Sequence, residues 1–451
     1  MSTSAAPRNI DVDTTRGPVR GERRTHSVRF LGIPYAKPPV GRLRFAAPEP
    51  PDPWREPRDA TVYGPTAQRR ASEATLIPEP TISGKGTLNL NVFTPDPSPD
   101  AGLPVLVWIH GGGYVAGSAA SPWYDGRTFN RDGVILVSIG YRLGIEGFLR
   151  LEDAPDNRGV RDWIAALRWV QENIAAFGGD PAKVTVGGQS VGGSAVQTLL
   201  ATPSAGGLFR AAISASGAVM LHQDSSEGRA VAELFTRRTG VPATAAALRD
   251  LSDQQLLDHQ DALCAPEPDL DGPGTHALRL APFADGQLVP VPVLDALTDA
   301  WPAHPLLLGF TRDEFDFLPV PRPPDTPSLT DLLFRRPGLA IAEARARHGL
   351  PTWLYQFDWS SEESPAPGLA FHWLDLPFAF DLLDAEGVIE VTGPNPPQSL
   401  ADAIHSAWVR FVHDLDPGPD WPRFTLDNRP MMRWGPTPHV VSDHYSDHQG
   451  T

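Results

Sequence analysis

The sequence predicts an α/β protein with a mostly parallel sheet covered by helices on both faces. Three observations predict it: short apolar runs recur, helical patterns lie between several of them, and Gly- and Pro-rich loops punctuate the chain. The runs "PVLVWI" (104–109), "VILVSI" (134–139), "VTVGG" (184–188), "RAAISASG" (210–217), "PLLLGF" (305–310) and "WLYQFDW" (353–359) read as buried strands. The segment "GVRDWIAALRWVQENIAAF" (159–177) spaces Val160, Ile164, Leu167, Val170, Ile174 and Phe177 three or four apart, which makes one apolar helix face. Gly178–Gly179 and then Asp180–Pro181 mark its end. A second helix is predicted over "LADAIHSAWVRFVHDL" (400–415). In open sheets of this kind, sites lie beyond the carboxyl ends of the strands.

Composition narrows the function classes. Apolar residues make up 41 % of the 451, enough for a large core, and the formal net charge of −16 disfavours nucleic acid and anionic membranes as partners. The single cysteine, Cys264, excludes an intrachain disulfide and a cysteine metal cluster. The stretch "MSTSAAPRNIDVDTTRGPVRG" has no apolar core of signal-peptide length, and no run is long enough to span a membrane. A cytoplasmic setting is expected. Proline and glycine concentrate in "TPDPSPDAGLP" (94–104), "APEPDLDGPG" (265–274) and "LPVPRPPDTP" (318–327), none of which is a clear domain linker.

Chemistry enters at "GGQSVGG" (187–193). Gly188-Gln189-Ser190-Val191-Gly192 matches G-x-S-x-G between a predicted strand and a predicted helix. In so tight a turn, side chains two positions either side of the serine would strike backbone, and the serine is held strained with its hydroxyl exposed. The other reading is a Gly-rich connection carrying a solvated serine. A nucleophile of this type needs oxyanion donors. "WIHGGGYVAG" (108–117) follows a strand, and its glycines let backbone N–H groups turn inward. The same residues fit G-x-G-x-x-A, a dinucleotide fingerprint, but the following "GSAASPWYDG" is a poor helix, which that reading requires. His110 reads as structural.

A serine of this kind is followed in the chain by an acid and then a histidine. The stretch "LLLGFTRDEFDF" (306–317) offers Asp313, Glu314 and Asp316, and position alone does not choose among them. Of the 13 histidines, His372 stands out in the loop "GLAFHWLDLPFAF" (368–380); His222, His304, His405 and His413 are rivals by position. Tyr114, Trp123, Phe315 and Trp373, with Gln189, are candidates for lining an apolar pocket, core packing being the alternative for the aromatics.

Together these stretches resemble the type-B carboxylesterase family, which contains the cholinesterases and bacterial nitrobenzyl esterases. The resemblance runs from "FLGIPYAKPPVGRLRF" (30–45) through "LNLNVFTP" (88–95), "VWIHGGGYVAGS" (107–118), "NRGVRDWIAALRWVQENIAAFGGDPAKVTVGGQSVGGSAV" (157–196), "GFTRDEF" (309–315) and "HWLDLPF" (372–378) to "WVRFVHDLDPGPDWPRF" (408–424). It implies an α/β-hydrolase fold spanning residues 1–451 as one domain, with a shortened helical segment around 318–350. It also implies Ser190 as nucleophile, Glu314 as acid, His372 as base, and an oxyanion hole from the N–H groups of Gly112, Gly113 and Val191. The implied partner is a small-molecule ester, with no metal or organic cofactor.

The sequence departs from the family pattern at several points. The usual Glu before the serine is Gln189, so no carboxylate there stabilises a nearby imidazolium or attracts cationic substrates. Val191 replaces Ala, which narrows the acyl side. Phe315 replaces the Gly usual after the acid. Only 58 positions separate Glu314 from His372, which predicts a more open site, or one covered by a partner subunit. The slot of the usual disulfide cysteine reads "GKGTL" (84–88). The expected activity is ester hydrolysis through an acyl-enzyme. Carbamates, lactones or activated amides are alternative substrates, and a non-catalytic binding protein on the same fold is the alternative of another class.

Overall fold

The computed structural model describes residues 9–70, 75–217, 224–266, 278–299, 303–317 and 327–443. His222, the residues 318–326 between the acid and base segments, and much of the loop 265–274 lie outside them.

Among the described residues thirteen strands form one sheet. They are Asn9–Thr14 (β1), Gly17–Arg23 (β2), Val28–Pro34 (β3), Arg58–Asp59 (β4), Asn89–Thr94 (β5), Leu103–Ile109 (β6), Ile135–Ile139 (β7), Gly179–Gln189 (β8), Ala211–Ala215 (β9), Leu306–Thr311 (β10), Thr352–Phe357 (β11), Met431–Trp434 (β12) and His439–Val441 (β13). Their order is β1-β2-β3-β5-β7-β6-β8-β9-β10-β11-β12-β13, with β4 beside β2. Every pairing from β7 to β12 is parallel; the flanking pairs β1–β2, β2–β3, β3–β5, β5–β7 and β12–β13 are antiparallel.

The central strands are apolar throughout because both faces are covered. Successive side chains point to opposite faces. Val105, Val107 and Ile109 of β6 therefore enter one core, while Leu106 and Trp108 enter the other. The first core receives the helix Arg158–Asn173, and Val160, Ile164, Leu167 and Val170 are among its buried residues, the face its spacing predicts. A 3₁₀ turn, Ile174–Phe177, ends it, and Gly178 follows at φ 87°; a Cβ there would lie 2.0 Å from the Asp96 carbonyl oxygen. The helix Gln398–Asp414 packs on the second core through Leu400, Ile404, Trp408, Phe411 and Val412.

A buried ion pair fixes the first helix to the carboxyl-end loops. Arg142, just past β7, donates through Nε (2.8 Å) and a terminal nitrogen (2.7 Å) to the two oxygens of Asp162. Its other terminal nitrogen donates to the Ala46 carbonyl at 2.7 Å. Both side chains are almost wholly buried. Breaking such a pair from one side leaves an uncompensated charge and costs about 3–5 kcal/mol. Asp162→Asn is therefore expected to lower the urea midpoint well below the parent's. A midpoint within error of the parent's would show that water or neighbouring carbonyls satisfy the guanidinium alone.

Candidate active site

The turn at Ser190 joins β8 to the helix Val191–Leu200. Its φ of 59° and ψ of −130° lie outside the ordinary regions for a residue with a side chain. The flanking glycines have the predicted steric origin. A Cβ at Gly188 would sit 2.3 Å from the Gly192 carbonyl oxygen, and one at Gly192 would sit 2.1 Å from that of Ile109. The Ser190 N–H donates to the Ala215 carbonyl at 3.0 Å, anchoring the turn to β9.

The glycine loop leaves β6 and folds back beside this turn. Gly112 and Gly113 have φ of 113° and 62°, and the N–H groups of Val115 and Ala116 close the turn onto the Gly112 carbonyl. A Cβ at Gly111 would meet the Ser190 Cβ at 3.0 Å, so the loop lies directly against the serine. Among the described residues, the N–H groups of Gly112, Gly113 and Val191 find no backbone acceptor. No helix starts at these glycines, as a dinucleotide site would require. His110 donates from Nδ1 to the Gly111 carbonyl at 2.8 Å and stacks on Tyr141. Burial pushes it down to about 4, so it is neutral and braces the loop.

The segments carrying Glu314 and His372 converge on the same end of the sheet. Glu314 lies three residues past β10 and is fully buried. Its Oε1 accepts from the Thr311 N–H at 2.8 Å, and its Oε2 accepts from His372 Nδ1 at 2.5 Å. The His372 N–H also donates to the Glu314 carbonyl at 2.8 Å. With the proton on Nδ1, the Nε2 lone pair is an acceptor. The Gln189 amide donates to it at 3.2 Å. The neighbouring acids are occupied elsewhere: Asp313 with Arg312 and the Ala370 N–H, and Asp316 with the Thr330 hydroxyl. The rival histidines are elsewhere too. His405 contacts Asp132 and the Ala379 carbonyl, His413 the Asp132 carbonyl, and His304 the Phe209 carbonyl.

This geometry can be set beside known proteins. The carboxylesterase family model matches residues 8–325 and 326–450. The chain is 36 % identical to the para-nitrobenzyl esterase of Bacillus subtilis over 93 % of its own length and 94 % of the relative's. It is 31 % identical to the liver carboxylesterase of Sus scrofa, over 92 % and 87 % respectively. The chain belongs to the carboxylesterase family. A solved PNB esterase structure superposes with a TM-score of 0.87 at 34 % identity, covering 97 % of this chain and 98 % of that one. The Geobacillus stearothermophilus carboxylesterase does so with 0.83 at 32 % identity, covering 97 % and 99 %. The fold is that of the α/β-hydrolases, and the protein is a carboxylic ester hydrolase.

The remaining candidate residues of this esterase divide into two groups. Phe315 and Trp373 stand against His372, with ring centroids 4.3 and 5.3 Å from the imidazole. Tyr114 and Trp123 are packed in the two cores. Tyr114 lies on Phe148 and Trp163, and the Trp123 indole donates to the Glu386 carbonyl. Val191 is buried at the helix start. Among the described residues, no group of three His, Cys, Asp or Glu is placed to hold a metal ion, and no helix is long and apolar enough to cross a membrane.

Two side chains join the site that the sequence did not single out. Phe334, in "TDLLFRR", packs 5.4 Å from the imidazole. Asp375, three residues past His372, is buried and accepts from the Tyr355 hydroxyl at 3.0 Å. Its place inside the apolar "HWLDLPF" was the available signal. Burial, then the Glu314 charge, push the Asp375 carboxyl up to about 6, against the Tyr355 hydrogen bond and the nearby His372.

A carboxylate raised on folding binds its proton more tightly in the native state. Its ionisation therefore costs no stability below the unfolded value near 4, and a growing penalty as pH rises through about 6. Asp375→Asn is accordingly expected to raise the thermal midpoint relative to the parent at pH 8 and to leave it near the parent's at pH 4. Equal shifts at both pH values would sink that account. A second expectation concerns Gln189→Glu. A carboxylate beside Nε2 favours the protonated imidazole, so if His372 serves as the base, the acid limb of the kcat/KM profile should move up by about one pH unit. An unmoved limb would mean that the 189 side chain does not address the imidazole.

Proposed function

We propose that the esterase works through a Ser190–His372–Glu314 triad and an acyl-enzyme. The observation that carries this reading is the buried Glu314–His372 contact of 2.5 Å beside a serine held at positive φ. Ser190 Oγ attacks the ester carbonyl as His372 Nε2 takes its proton. Glu314 fixes the Nδ1–H tautomer and stabilises the imidazolium that forms. The N–H groups of Gly112, Gly113 and Val191 hold the oxyanion. His372 then protonates the departing alcohol, and a water activated by the same nitrogen releases the acid. All groups come from one domain, whose sheet runs unbroken from β1 to β13. The lone Cys264, with no disulfide partner, supports a reducing, cytoplasmic setting.

The test compares parent and Ser190→Ala on p-nitrophenyl acetate, butyrate and octanoate and on p-nitrobenzyl acetate. Mass is read after treatment with a serine-directed phosphonate. The variant is expected to lose about four or more orders of magnitude in kcat and to stay unlabelled. A variant that hydrolyses as fast as the parent, or takes up the phosphonate, overturns the assignment of the nucleophile.

A further inference from the structure

The catalytic imidazole stands among aromatic rings. Phe315 lies nearest, at 4.3 Å between centroids with the planes 37° apart, a separation that brings the ring faces together. Phe334 follows at 5.4 Å and 50°, and Trp373 at 5.3 Å and 81°. Phe315 and Phe334 also pack on each other, at 5.7 Å.

Phe334 owes its place to a single π-helical turn, Asp331–Arg335, just before the helix Arg336–Arg347. Such turns recur at functional sites because the extra residue re-aims the side chains that follow. This one is tied at both ends to the loop that carries Glu314 and Phe315. The Thr330 hydroxyl donates to Asp316 Oδ2 at 3.1 Å, and Arg335 donates to the Arg312 carbonyl at 3.2 Å. Phe315 itself lies outside the left-handed backbone region, so the position accommodates its ring without strain.

Charge around the imidazole gives these rings a task. Glu314 faces Nδ1 directly, and Asp375, bonded to Tyr355, acts on the imidazole from farther off. At Nε2 the only described polar side-chain partner is the Gln189 amide, a donor, which opposes a proton on that nitrogen. Among the described residues, no carboxylate side chain therefore meets the imidazolium at Nε2. A ring face within about 6 Å attracts a cation through its quadrupole.

We propose that Phe315, Phe334 and Trp373 form an aromatic enclosure that positions the His372 imidazole and stabilises it when protonated, in the absence of a carboxylate at position 189. This rests on His372 being the base. The same rings exclude water, which by itself disfavours the charge, so the test must keep the apolar bulk and change only the quadrupole. Pentafluorophenylalanine at 315 does this, retaining the ring's shape and reversing its quadrupole, while Phe315→Leu and Phe334→Leu keep an apolar side chain and remove the ring.

Each replacement is expected to lower the plateau kcat on p-nitrophenyl acetate about three- to tenfold. KM should stay within about twofold, and the acid limb should move to lower pH; Phe334→Tyr should retain parent behaviour. A raised KM with unchanged kcat and limb would make the rings a substrate wall and overturn the proposal, as would parent-like kinetics with the fluorinated ring. His372→Ala separates the two readings. If that variant stays active, the base assignment fails and the enclosure with it; if it is inactive while the ring variants match the parent, only the enclosure fails.

Discussion

The catalytic end of the molecule depends on one steric constraint, the close passage of three backbone segments around Ser190. The end of β6, the end of β8 and the first turn of the helix after it run so close together that Gly188 and Gly192 admit no Cβ. Gly111 presses on Ser190 from the third side. This crowding forces the serine to positive φ and brings the glycine loop beside it. It also leaves the N–H groups of Gly112, Gly113 and Val191 without backbone acceptors among the described residues. The strain is held by the β6–β8 and β8–β9 pairings, which leave the serine turn no room to relax.

That constraint is also why so much was legible in the sequence. Steric exclusion leaves glycines at fixed offsets, so the serine turn and the glycine loop beside it could be located by eye. The buried strands and the helix face from Val160 to Phe177 were legible for a similar reason, since burial writes its period into the residues. The choice among Asp313, Glu314 and Asp316 was different. All three are acids on one turn, and what separates them is the direction in which each side chain leaves it. Only the family resemblance favoured Glu314. Phe334 was illegible because its position follows from a π-helical turn, which breaks the 3.6-residue period that a reader would apply. Tyr114 and Trp123 resemble pocket residues in sequence because aromatics near loops serve packing and binding equally well. The structure places them in the cores.

The interior treats its two carboxylates near His372 in opposite ways. Glu314 is given a backbone N–H and an imidazole N–H, so its charge is used where it lies. Asp375 is given one phenolic hydroxyl, and its Oδ1 finds no partner among the described residues. The two acids sit close enough to repel, and the less well-partnered one yields by holding its proton to higher pH. Glu314 keeps both of its contacts, to the Thr311 N–H and to the imidazole, while Asp375 keeps one.

The long sequence separations at the site bear on how the protein comes into being. Gln189 and His372, which touch, are 183 positions apart, and β10 must be laid beside β9, and β11 beside β10, before the loop with His372 has anything to dock on. Parallel pairing closes such large loops late and slowly. During synthesis the chain can complete its serine turn and glycine loop while Glu314 and His372 are still unmade. On the triad proposed above, a nascent chain would thus expose a strained serine without its partners, and hydrolysis would begin only once the last third of the chain has been released and packed.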